Sequence, residues 1–401
     1  MSKSAYFFRG LFVVIVFCAL GFYAYIQDEN TPDQILNEDS TDALFNTPAK
    51  ADYLYCVNID SGSKLVLKSL SQKLNFSVTQ LNSKGKKLDS SKLALAPFGT
   101  VGLILESNTK LVKIDSNGSD LLAFIETSEG LKSECKNNTS ETWVIPGFST
   151  EKDAINNLLI SNPYKTTASL DVFVVGSSRE SNDSLALQRE VKNIVIDANK
   201  TYEFDFNQLI KRSELVFVKI LTKSGSVIPA GSTTLGESNK LLPLYSSESN
   251  INYALSPELG TYSVYNPSTN ILNVDVNGQT ILVPPNSATL KEIDGTKFLK
   301  AESDNGFYFL FKSGQNLFRS FSKESSKFYV YTSSPIEINN SNDGEVQCDY
   351  RVNTDPPKSV VVKPKSNASL EMSVDSLVKL ECDLPVSVFS TNSVIRSIVS
   401  R

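Results

Sequence analysis

The chain has 401 residues, 40% of them hydrophobic and 21% charged, with a net charge of −5; it can bury cores and is too long for one ordinary domain. It contains no histidine, which excludes Ser-His-Asp and Cys-His catalysis, His-ligated zinc and a histidine pH switch. A net negative charge without a basic block argues against electrostatic binding of nucleic acid.

Lys3 and Arg9 lead into Gly10 to Ile26, an uncharged stretch of Leu, Phe, Val, Ile, Ala and Tyr near the lower length limit for crossing a bilayer. With Asp28 and Glu29 on the far side, residues 1–27 read as a retained transmembrane signal anchor. The N-terminus is then cytoplasmic and the rest extracytoplasmic. Cleavage near Ala19-Leu20-Gly21 is the rival reading. The run Ile15-Val16-Phe17-Cys18 only loosely resembles a lipobox, because Phe17 stands where a small residue is needed. Residues 28–50 are polar, carry two prolines and lack apolar periodicity, so they read as a solvated linker.

Beyond the linker, short apolar alternations are broken by Gly, Asn, Asp, Ser and Pro. Leu170 to Val174, Val274 to Val276 and Val360 to Val362 read as strands, with Asn117-Gly118 and Asn277-Gly278 as turns. A helix is expected only near Phe204 to Lys211. The pattern predicts an all-β protein of tandem immunoglobulin-like or related β-sandwich modules over 51–139, 140–240, 241–335 and, shorter, 336–401.

Internal similarity supports that division. Asn162-Pro163 is echoed by Asn266-Pro267, each ending a strand. A strand–turn–strand element follows at Ile194 to Thr201 and Ile281 to Ala288, with fainter copies at Leu93 to Thr100 and Val361 to Ala368. A third element recurs at Leu121 to Ile125, Val216 to Ile220, Phe298 to Ala301 and Leu377 to Leu380. If each module buries its own core, contacts between modules should be small and polar.

Of five cysteines, Cys18 lies in the anchor and four lie beyond it. Cys56 opens the first module and Cys135 closes it, while Cys348 and Cys382 share the last. Cys56–Cys135 and Cys348–Cys382 are the simplest of three connectivities, and export favours oxidation.

The run from Cys135 through Trp143-Val144-Ile145-Pro146-Gly147-Phe148-Ser149-Thr150, Leu158 to Pro163 and Ala168 to Val172 resembles uncharacterised exported proteins of actinobacteria. In those a Cys precedes a Trp-bearing strand, and a Leu-x-Asn-Pro turn and a Val-rich strand follow. The resemblance covers about half the chain, mainly Cys135 to Gly231, and departs from the family in its Ile- and Lys-rich stretches. It implies tandem β-sandwiches in the envelope and a link to surface polysaccharide, with no catalytic residues to carry over.

Chemistry is sparse. Glu203 with Asp205 and Glu302 with Asp304 would share strand faces, but a glycosidase needs a defined spatial separation that spacing cannot supply. Asp115 to Asp120 resembles a calcium loop without its distal Glu, so a hairpin turn is expected. Asn-x-Ser/Thr triplets occur at Asn75 and Asn138. Trp143, the sole tryptophan, and the cluster Phe307-Tyr308-Phe309-Leu310-Phe311 read as core, with Trp143, Phe307, Tyr308 and Phe309 as candidate ligand contacts. No catalytic, cofactor or metal residues are assigned. The expected function is a non-catalytic, membrane-anchored extracytoplasmic scaffold or interaction protein of the bacterial cell envelope, with an envelope protein or glycan as partner. The alternative is a carbohydrate-binding accessory of polysaccharide assembly.

Overall fold

The computed structural model describes residues 50–70, 73–137, 140–179, 188–210, 213–236, 238–255, 259–294, 298–313, 316–318, 324–390 and 393–397. Cys18, Asn138 and the predicted anchor lie outside them. Strands dominate these residues, and none is helical. Module 1 comprises β1 (Lys50–Val57), β2 (Lys64–Ser69), β3 (Leu74–Leu81), β4 (Lys87–Leu95), β5 (Thr100–Ile104), β6 (Leu111–Glu126) and β7 (Lys132–Glu134).

The 16-residue β6 organises this module. Its first half pairs with β1 and β3, and β4 extends β3; its second half pairs with β2 and β7, and β5 extends β2. Two antiparallel sheets thus share one strand and face each other across a core that includes Cys56, Phe76, Val78, Ile114, Leu65 and Ile125. Asn117-Gly118 is not a hairpin turn: it lies inside β6, in the polar stretch where the strand passes from one sheet to the other.

The same plan recurs three times. Module 2 has β8 (Thr142–Phe148), β9 (Ile155–Ser161), β10 (Ala168–Ser178), β11 (Gln188–Ile196), β12 (Thr201–Glu203), β13 (Val216–Ser224), β14 (Ile228–Leu235) and β15 (Ser238–Leu241). Here the long strand is split by Gly225, at φ 71°, into β13 and β14. Module 3 has β16 (Ser249–Leu255), β17 (Leu259–Tyr265), β18 (Leu272–Val276), β19 (Gln279–Val283), β20 (Ala288–Asp294), the long β21 (Phe298–Ser313) and β22 (Asn316–Phe318). Module 4 has β23 (Ser325–Thr332), β24 (Ile336–Asn340), β25 (Val346–Val352), β26 (Lys358–Val362), β27 (Ser366–Leu370), β28 (Ser376–Phe389) and β29 (Val394–Ser397). In this copy the last strand pairs with the first instead of with the long one.

Three expectations change. The region Phe204 to Ile210 is a turn, with the Leu209 N–H donating to Phe206 O at 2.9 Å while Phe204, Phe206 and Ile210 plug the module 2 core. The boundary at 335/336 falls inside module 4: Ser325–Thr332 pairs with β28 and β29, so Ser333 to Pro335 is a turn within the module. The third repeated element is out of register in module 1, where Leu111–Ile114 and not Leu121–Ile125 pairs as Val216–Ile220 does.

The repeat is tightest in one loop pair. Asn162, Asn266 and Asn340 each end the second strand of their module and are fully buried. Each side-chain amide donates to the carbonyl four residues on, at 2.7–2.8 Å, and to the end of the fourth strand at 3.0 Å (Ile196, Val283 or Val362). Each Oδ1 accepts from the N–H two residues on. The turn they clasp places Asn199, Asn286 and Lys365 at φ 61°, 50° and 50°, and Phe98 of module 1 at 57°. Among residues with a Cβ, asparagine tolerates this left-handed conformation best. In module 1 the Ser69 N–H donates to Gly99 O as those of Asn162 and Asn266 donate to Lys200 O and Ser287 O, so Ser69 holds the asparagine position.

Each module has its own hydrophobic core, and apolar seams join them, contrary to the expected polar contacts. Tyr55, Leu81 and Leu111 of module 1 meet Leu159 and Ile228 of module 2. Phe217 of module 2 and Tyr245, which follows β15 and is bridged to Val144 of β8, meet Tyr265, Tyr308 and Leu310 of module 3. Val66, Leu122 and Phe124 of module 1 meet Tyr331, Leu377 and Val394 of module 4. The strand halves at these seams are apolar on both faces, as strands covered on both sides must be. Tyr253 of module 3 is hydrogen-bonded to Ser341 of module 4, completing a circuit of contacts. The described residues form one compact unit.

Candidate functional site

The four nominated aromatic rings lie inside the protein. Trp143, Phe307, Tyr308 and Phe309 are 1%, 0%, 3% and 1% exposed. The Trp143 Nε1–H donates to Val227 O at 2.9 Å, satisfying the indole within the module 2 core. Phe307, Phe309 and Phe311 point into the module 3 core, while Tyr308 and Leu310, on the opposite face of β21, fill the seam with module 2. Two-sided burial explains the aromatic density, and none of these rings can stack on a ligand. The intrinsic emission of Trp143 is therefore expected at short wavelength, resistant to iodide quenching and unmoved by any saccharide. A quenchable, red-emitting Trp143 would contradict this placement.

The cysteines pair as Cys56–Cys135 and Cys348–Cys382. The first bond fastens β1 to the residue after β7, across the module; the second links directly opposed residues of β25 and β28. Glu302 is engaged by Lys300 in an ion pair, and Asp205 accepts from the Asn207 backbone at 3.0 Å. Among the described residues no group of three or more Asp, Glu or Cys could hold a metal. Asn75 is exposed on β3.

The polar groups converge at the seams. Where modules 1, 2 and 4 meet, a cavity of about 50 Å³ is lined by Tyr55, Glu134, Lys136, Ile228, Tyr245 and Val394. Glu134 and Lys136 form a 2.8 Å ion pair there, both largely buried. The space suits a few waters and no organic substrate. At the module 1–4 seam the ammonium groups of Lys68 and Lys132 each stand 5.6 Å from the Tyr331 ring centroid. Lys132, its side chain 3% exposed, also pairs with Asp375 at 2.9 Å. Between modules 2 and 3 the pair is Lys312–Glu214 at 3.1 Å, beside a Ser177–Ser263 hydroxyl contact of 2.6 Å. These are arrangements that hold modules together.

Burial, then the Asp375 and Glu126 carboxylates, push the Tyr331 phenol up to about 12. An unfolded tyrosine titrates near 10, so the folded state keeps its proton where the unfolded state has lost it. Stability is then unaffected below about pH 10 and falls as pH rises from 10 toward 12, by roughly 2 kcal/mol at most from this residue. Urea titrations across that range should show a shallower decline for Tyr331→Phe than for the parent. An unchanged decline would exclude Tyr331 as its source.

Comparison of the chain with protein-family models, with curated proteins and with solved structures returns no match in any of the three. The likeness to exported actinobacterial proteins therefore rests on its motif alone. No helix among the described residues is long and apolar enough to cross a membrane.

Proposed function

We propose that the chain is a membrane-anchored extracytoplasmic scaffold or interaction protein of the bacterial cell envelope, without a catalytic role. The observation that carries this reading is the four-fold repetition of one sandwich, each copy with its own core and each locked to its neighbours through apolar seams. Such a body offers broad, positioned faces, and its buried ionic groups serve the seams. The two disulfides fit an oxidising compartment, and the uncharged stretch Gly10 to Ile26 supplies the anchor.

A carbohydrate-binding accessory would need contacts other than Trp143, Phe307, Tyr308 and Phe309, whose rings are enclosed. Topology reporters test the main reading. Alkaline phosphatase fused after Arg401 should be active and membrane-retained, with all four outer cysteines resistant to alkylation. A cytoplasmic reporter signal, or free thiols at these positions, would overturn it.

A further inference from the structure

The fold brings Lys113 and Lys165 to a turn that carries Lys84, Lys86 and Lys87, and Asn199 is the hub. Its Oδ1 accepts from Lys113 Nζ at 2.6 Å, and its own N–H donates to Tyr164 O at 3.2 Å. Its carbonyl lies so close to Gly85 that a Cβ built there would stand 2.9 Å away. Two residues on, the Thr201 N–H donates to Ser83 O at 3.0 Å. These contacts bring the β3–β4 turn of module 1, which carries Lys84, Lys86 and Lys87, against the module 2 loop bearing Lys165.

Those four lysines are exposed, and among the described residues none has a carboxylate partner. Lys113 is close enough to Lys165 that, after burial, this neighbouring charge further lowers its pKa. Of the carboxylates near these segments, Asp197 pairs with Lys200 at 2.7 Å and Asp171 with Lys223 at 2.8 Å, which leaves Asp89 beside four unpaired lysines. A chain of net charge −5 thus concentrates an excess of positive charge at one seam.

We propose that this lysine cluster binds an acidic polysaccharide, a polyuronate in chemical class. The charges are flexible point charges spread over segments of two modules, so they match a ligand whose anionic groups repeat along a chain better than one small anion. The choice of polysaccharide over nucleic acid rests on the extracytoplasmic reading above.

The test uses the full chain in neutral detergent and immobilised polygalacturonate at about 50 mM salt. Binding is expected, falling steeply with salt and absent on neutral dextran. The variant Lys84→Gln/Lys86→Gln/Lys165→Gln should bind on the order of tenfold more weakly, as three exposed charge contacts imply. The control Lys291→Gln/Lys358→Gln/Lys363→Gln, at exposed unpaired positions of modules 3 and 4, should bind as the parent does. No binding, equal binding by the first variant, or tighter binding to single-stranded DNA or anionic-lipid nanodiscs at the same salt would overturn the proposal. The topology reporters fail independently of these outcomes, so an error in location and an error in ligand are told apart.

Discussion

The double substitution Cys56→Ser/Cys135→Ser is expected to destabilise the chain by about 2–4 kcal/mol and to move the unfolding of module 2 along with that of module 1. The bond closes a sequence separation of 79 residues, for which chain entropy alone gives roughly 4 kcal/mol; native cross-links usually deliver somewhat less. Had the modules met through small polar contacts, the loss would stay within module 1. The seams argue otherwise. Tyr55, on the strand that carries Cys56, packs edge-on against Tyr164 of module 2 at 5.4 Å, next to Leu159 and Ile228. Urea unfolding followed by Trp143 emission, which reports module 2, should therefore shift to lower denaturant in the module 1 variant. A Trp143 transition that does not move, alongside loss of module 1 structure, would show that the seam transmits little. Removing Cys348–Cys382, which closes 34 residues, should cost less and act through the module 1–4 seam at Tyr331.

Much of this architecture could be read before any coordinates. Strand periodicity and turn residues carried the all-β class, and cysteine placement carried the pairing. What the sequence hid follows from one device, the long strand shared by both sheets. A strand that crosses between sheets is apolar in both halves. Leu121 to Ile125 therefore looked equivalent to Val216 to Ile220, though they occupy opposite halves of the shared strand. The polar stretch at the crossing, Ser116-Asn117-Gly118 in module 1, carries the composition of a hairpin turn, and only the pairing partners distinguish the two. The run Phe307 to Phe311 posed a related problem. Alternation assigns odd and even positions to different faces, but it cannot say that a second module covers the outer one. The lysine cluster was legible only in part: Lys84, Lys86 and Lys87 are neighbours in sequence, but Lys165 joins them through Asn199, which is itself held by Lys113 from more than 80 residues away.

The asparagine clasp shows the limit most sharply and leads to the other large effect. Proline drew attention to Asn162 and Asn266, yet the working group is the amide, and Asn340, followed by Ser341, makes the same bonds. Asn266→Leu keeps the branched shape, adds some bulk and deletes every polar contact of the side chain. The carbonyls of Asn270, Val283 and Pro284 then lose a donor, and the Ser268 N–H loses its 2.9 Å acceptor. Unsatisfied buried groups cost about 1–3 kcal/mol each, and partial relaxation should leave a total of about 3–5 kcal/mol. Asn266→Ser should cost less, since a buried Ser69 serves at this position in module 1. Asn270→Ala tests the role of the side chain directly: that residue is exposed and contributes only its backbone carbonyl and N–H to the clasp, so the change should be near neutral. Urea midpoints of the three variants, read by far-ultraviolet circular dichroism, provide the comparison. If Asn266→Leu unfolds within about 1 kcal/mol of the parent, the clasp is not what fixes the loop pair, and the Asn-Pro signal is merely a turn preference.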